Sequence, residues 1–136
     1  MEYRAMHPDD YDQCHALWEA APGVRLVKAD SREAITAFLL RNPGMSFLCT
    51  EGDAFVGTAM CGHDGRRGYI YHVAVRPEYR GRHIGTALVE RCLSALRAEG
   101  IDKCHVFVVA DNALGNSFWR SFWTKREDIA LYSKDT

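Results

Sequence analysis

Apolar residues recur along this chain with two periods, and each change of period marks an element boundary. Ile84, Leu88, Cys92, Ala95 and Leu96 share one face of a helix that Gly100 would stop. Ile35, Phe38 and Leu39 give a shorter helix the same kind of face. Asp30-Ser31-Arg32-Glu33 reads as its capping box, and Asn42-Pro43-Gly44 ends it. His7-Pro8-Asp9-Asp10 starts a helix that runs to about residue 20, residues 23–29 form a loop, and Asn112 opens a fourth helix over residues 112–122. Apolar runs with β-branched or aromatic residues predict strands at 3–6, 46–50, 54–61, 69–75, 104–110 and 129–133. Glu51-Gly52-Asp53 has the composition of a hairpin turn, and a second break spans residues 62–68.

Hairpins come first and strand–helix alternation later. That order predicts a mixed α+β sheet covered by helices rather than a pure doubly wound fold. The 136 residues, 47% of them hydrophobic, suit one domain over residues 1–136 with a sizeable core. A net charge of −1 gives no general attraction to nucleic acid or to an anionic membrane. The five cysteines, Cys14, Cys49, Cys61, Cys92 and Cys104, lack C-x-x-C spacing and fit buried free thiols in a reducing compartment. Met1-Glu2-Tyr3-Arg4 does not open a signal peptide, and no window reaches the length of a membrane span, so a cytoplasmic location is expected.

Against this neutral background, one basic turn stands out. Val73 to Leu88 reads strand, glycine-containing turn, helix, with Arg80 and Arg82 flanking Gly81, and with Gly81 and Gly85 letting a ligand approach the backbone. Amides in a tight turn and in a helix's first turn lack intrachain partners and converge with the positive helix end behind them, which is how phosphate is held. A Walker A loop is excluded because no Gly-Lys-Ser/Thr closes the turn, and Gly-x-Gly-x-x-Gly is absent too.

Arg80-Gly81-Arg82-His83-Ile84-Gly85, after His72-Val73-Ala74-Val75 and Arg76-Pro77, resembles the cofactor signature of the GNAT superfamily of acyl-CoA-dependent N-acyltransferases. Asn112, followed six residues later by Phe118-Trp119, is similar to a second element of that family, and the resemblance covers nearly the whole chain as a bacterial single-domain type. It implies a mostly antiparallel twisted sheet of six to seven strands with about four helices, strands four and five splaying around acetyl-CoA as co-substrate. It further implies main-chain bonds from Val73 and Val75 to pantetheine, and the pyrophosphate on amides from Arg80, Gly81, Arg82, His83, Ile84, Gly85 and Thr86. Asn112 would bond the pantetheine arm, with Phe118 and Trp119 packed against it. A bulge in the fourth strand would free an amide near Val73 as an oxyanion donor.

Two departures bear on the chemistry. His83 stands where the signature has its first glycine, and Trp119 where the family has the tyrosine that protonates the leaving thiolate. An indole N–H is no acid near neutral pH. A thiol leaves tolerably as thiolate, whereas freeing a lysine-like amine at pH 7 costs about 4.6 kcal/mol, so the base matters more than the acid. No acidic residue marks that base: Tyr69 and Phe107 stand where some members place glutamate. His72 is the best titratable candidate, with Tyr71 and Tyr132 behind it.

The resulting expectation is an N-acetyltransferase joining acetyl-CoA and a primary amine, small-molecule or peptide, by direct attack in a ternary complex. The alternative is a catalytically weak acetyl-CoA-binding sensor or regulatory module. Neither a metal, a nucleic acid nor a membrane is expected as partner, and a homodimer is left open. His63-Asp64-Gly65-Arg66-Arg67, as in a bacterial subgroup of the family, reads as a tight turn. Trp18, Phe38, Leu39 and Leu40 belong to helices that wall the acceptor pocket in the family, although core packing accounts for most of them. The glycine expected before the final aromatic, near Phe122-Trp123, is missing.

Overall fold

The computed structural model describes residues 1–136. Its five strands are β1 (Glu2–Ala5), β2 (Phe47–Glu51), β3 (Ala54–His63), β4 (Gly68–Val75) and β5 (Cys104–Val106). Four helices join them: α1 (Tyr11–Ala20), α2 (Arg32–Arg41), α3 (Ile84–Ala98) and α4 (Ala113–Arg120). The sheet runs β1-β2-β3-β4-β5, antiparallel throughout except for the parallel β4–β5 pair. Helices cover both faces, as the mixed pattern predicts.

Each face buries its own core. Val56, Cys61, Ile70, Leu88, Val89 and Cys92 pack between the sheet and α3, while Trp18, Ile35, Leu39, Leu48 and Met60 pack between the sheet and α1–α2. Four of the five cysteines are buried and all are free thiols. Burial pushes the Cys14 and Cys104 thiols up to about 12, so they behave as small apolar groups. Asp10 closes the turn before α1, accepting a bidentate pair from Arg4 at 2.8 and 2.9 Å and the His7 amide at 2.8 Å. Burial alone would raise its carboxyl, but those donors outweigh it and hold Asp10 below the ordinary carboxylate range.

Three expectations need correction. The sheet has five strands rather than six or seven, because residues 129–133 form no strand, with Ile129 64% and Leu131 69% exposed. The strand next to them, β5, has shrunk to three residues from the expected 104–110, and so short an edge offers a last strand little to pair with. The α2 start is also not an Asp30–Glu33 box. Ser31 caps α2 by accepting from the Ala34 amide at 3.2 Å, and Asp30 belongs to the preceding 3-10 turn, Lys28–Asp30.

Candidate active site

Two irregularities in β4 build the site. Thr58 pairs with Ala74 and Met60 with Tyr71, so His72 and Val73 together oppose the single residue Ala59. This is the expected bulge, and it sets His72 at φ 51°. Pairing with β5 then stops at Ile70–Val106, so the β5-facing backbone of β4 from His72 to Val75 has no strand partner. The strands diverge, and a cleft of about 460 Å³ opens between them, lined by Ile70 to Val75, Val106 to Val109, Arg80, Gly81, Asn112, Phe118 and Trp119. That volume lies in the range of small-molecule sites.

At one end of the cleft lies the basic turn. Arg80 donates its amide to Pro77, and the next backbone amide with an acceptor is that of Ala87, bonded to His83. The six amides from Gly81 to Thr86 thus have no intrachain partner, at the N-terminus of a 15-residue helix. Residues 81–83 are exposed there, and Arg80 lines the cleft while the Arg82 guanidinium lies 5.1 Å from the Tyr79 ring centre. Such a cradle fits a pyrophosphate.

The glycines divide the work differently from the sequence reading. Gly81, at φ 77° with open space around it, supplies the left-handed turn. Gly85 is buried, and a Cβ there would come within 3.0 Å of the Phe118 ring, so its bareness serves α3–α4 packing rather than ligand approach. His83 adopts φ 61° and ψ 21°, the left-handed region that the family's glycine suits, and caps α3 without a side-chain bond.

On the cleft's other wall, Asn112 opens α4 as expected and caps it by accepting from the Gly115 amide at 3.0 Å, and its amide group faces Gly23 across the mouth. Phe118 and Trp119 meet edge-on at 5.1 Å, and Trp119 packs on Trp123 at 4.7 Å. Tyr71 also lines the cleft, edge-on to Phe38 at 6.1 Å. Burial raises its phenol above the ordinary value, so it stays protonated near neutral pH and is no base. Tyr132 is 91% exposed on the tail, away from the cleft.

His72 lines the same cleft and is held from three sides. Its Nε2 lies 2.6 Å from Asp30 Oδ1, its ring lies 4.8 Å from that of Trp18, and its carbonyl accepts the Thr58 hydroxyl at 2.9 Å. Trp18 Nε1 in turn donates to Thr58 at 2.9 Å. Asp30 is the residue that sequence reasoning missed. It stands 42 positions from His72, and its local context pointed only to a helix start. At the sheet's far corner, Asp64 accepts the Arg66 and Arg67 amides at 2.8 Å each, which makes residues 63–67 the tight turn expected.

A sheet that splays at β4–β5 beside an unpartnered amide cradle is the architecture of an acyl-CoA-dependent acyltransferase. Residues 10–122 match the model of the acetyltransferase (GNAT) family, and the chain belongs to that family. It is 32% identical to an acetyltransferase of Sodalis glossinidius over 96% of this chain and 92% of that protein. Its fold is similar to that of the PaiA N-acetyltransferase of Thermoplasma acidophilum, solved in complex with coenzyme A, at a TM-score of 0.78 and 17% identity, covering 95% of this chain and 92% of that one. It is also similar to an aminoglycoside 6'-N-acetyltransferase from Acinetobacter haemolyticus, at a TM-score of 0.80 and 13% identity over 100% and 99% of the two chains. The protein is an acetyl-CoA-dependent acyltransferase.

Proposed function

We propose that residues 1–136 act as one catalytic domain that transfers the acetyl group of acetyl-CoA to a primary amine by direct attack within a ternary complex. The observation that carries this reading is the cleft at the β4–β5 splay, ending on six unpartnered amides. Arg80 and the amides from Gly81 to Thr86 bind the pyrophosphate, and the β4 backbone at Val73 and Val75 pairs with the pantetheine arm. Asn112, Phe118 and Trp119 form the opposite wall of that channel. The Val73 amide, at the bulge, polarises the thioester carbonyl as charge develops on its oxygen.

In the transfer step the amine nitrogen bonds to the acetyl carbon and the carbon–sulfur bond breaks. The sulfur leaves as thiolate, and the amine's proton passes to His72 directly or through water. No tyrosine stands at Trp119 to protonate the thiolate, which a leaving group this acidic tolerates. The acceptor is a small-molecule or peptide amine, and proteins of similar fold are named for aminoglycoside and ribosomal-protein acetylation. It approaches over the aromatic rim that Tyr71 and Phe38 make beside His72.

A panel of amino acids, polyamines, aminoglycosides and peptide N-termini, incubated with acetyl-CoA and read out as free CoA, tests the proposal. Release with at least one acceptor class is expected. Tight acetyl-CoA binding without release across the panel would replace catalysis by a sensor role.

A further inference from the structure

The geometry points to Asp30 as the positioning residue of the base: its carboxylate fixes His72 as the Nε2–H tautomer and so turns a bare Nδ1 toward the acceptor. This rests on the reading of His72 as proton acceptor. Both Asp30 oxygens are committed to donors, Oδ1 to His72 Nε2 at 2.6 Å and Oδ2 to the Val27 amide at 2.9 Å. The Asp30 carbonyl accepts the Tyr11 hydroxyl at 2.6 Å, so the residue is pinned at backbone and side chain alike. Side-chain exposures of 14% for His72 and 10% for Asp30 shield the pair from bulk water.

A carboxylate only accepts, so Nε2 carries the hydrogen and Nδ1 the lone pair. Nδ1 has no hydrogen-bond partner, and no side-chain nitrogen or oxygen in the protein is both buried and unpartnered, so Nδ1 keeps its opening to the cleft that His72 lines. The groups around the ring leave Asp30 as its one charged contact. Trp18 from α1 and Thr58 from β3 are neutral, Tyr71 from β4 and Arg25 from the loop after α1 line the same cleft, and Arg32 stacks over Tyr11 and pairs with Asp12. When Nδ1 takes the amine's proton, the imidazolium forms against a carboxylate already in place. Trp18 and Thr58 hold the ring and the bulge peptide from behind, so the base and the Val73 amide move as one unit.

Asp30→Asn tests this sharply. The amide must turn its NH2 toward either His72 Nε2–H or the Val27 N–H, so one donor loses its acceptor. The variant is expected to keep the acetyl-CoA dissociation constant, to lose roughly tenfold or more in kcat, a part of what a general base contributes, and to shift the acid limb of its kcat/KM profile to lower pH. An unchanged kcat and pH profile would overturn the proposal, because a merely structural tie would move neither. Long-range 1H–15N NMR of the unmodified protein needs neither a variant nor turnover: an Nε2–H pattern for His72 upholds the positioning, and an Nδ1–H pattern overturns it. If no amine in the panel releases CoA, that result falls on the enzymatic reading, while the NMR still decides whether Asp30 sets the tautomer.

Discussion

Two histidines in the left-handed region frame the site, and strain explains only one of them usefully. At His72 the positive φ belongs to the bulge that aims the ring and is locked by Thr58 and Asp30. At His83 no side-chain bond rewards it. His83→Gly should therefore raise stability by up to about 1 kcal/mol, visible as a higher midpoint in thermal or urea denaturation, with acetyl-CoA affinity retained. His72→Ala should lower kcat by roughly 100-fold or more while leaving the acetyl-CoA KM near its original value. Gly85→Leu should fail differently, losing stability through the Phe118 ring before it loses any phosphate contact.

At the scale of elements, the chain's own pattern was most legible where an element is decided locally. α3 follows its apolar stripe, the hairpin from β2 to β3 follows its turn, and the cradle follows the position of Arg80 to Gly85 between strand and helix. Legibility failed where a partner far along the chain decides. Residues 129–133 have the apolar and aromatic composition of a strand yet find no edge to pair with, and Asp30 looks like a helix cap until the fold carries it to His72. Gly85 looked like ligand space because the ring that fills its side comes from another helix. The start of α1 gives a pH-dependent case. Asp10 titrates lower in the folded protein than in the unfolded chain, so the stability it supplies is complete above the ordinary carboxylate value near 4 and is lost as pH falls through its folded value. Asp10→Asn should flatten that acid limb in a series of denaturation curves taken between pH 2 and 6.

For the molecule as a whole, cofactor and fold are coupled through a thin connection. β5 joins β4 by three residue pairs, while β3 and β4 pair along nearly their full lengths, so the two walls of the cleft are unequally anchored. In the proposed binding mode acetyl-CoA bridges them, and at 100 times its dissociation constant it should add about 2.7 kcal/mol of stability. Hydrogen exchange should show the gain concentrated in residues 104–120 and the cradle; protection confined to α1 and α2 would place the ligand elsewhere.

The aromatic wall carries one more consequence, an optical one. The protein has three tryptophans, of which Trp18 is fully buried under the sheet, whereas Trp119 faces the cleft with Trp123 edge-on to it. Intrinsic emission therefore divides into a contribution from beneath the sheet and one from the cleft wall. On the proposed reading, Trp119 gives the protein a built-in, label-free gauge of whether its cleft is filled.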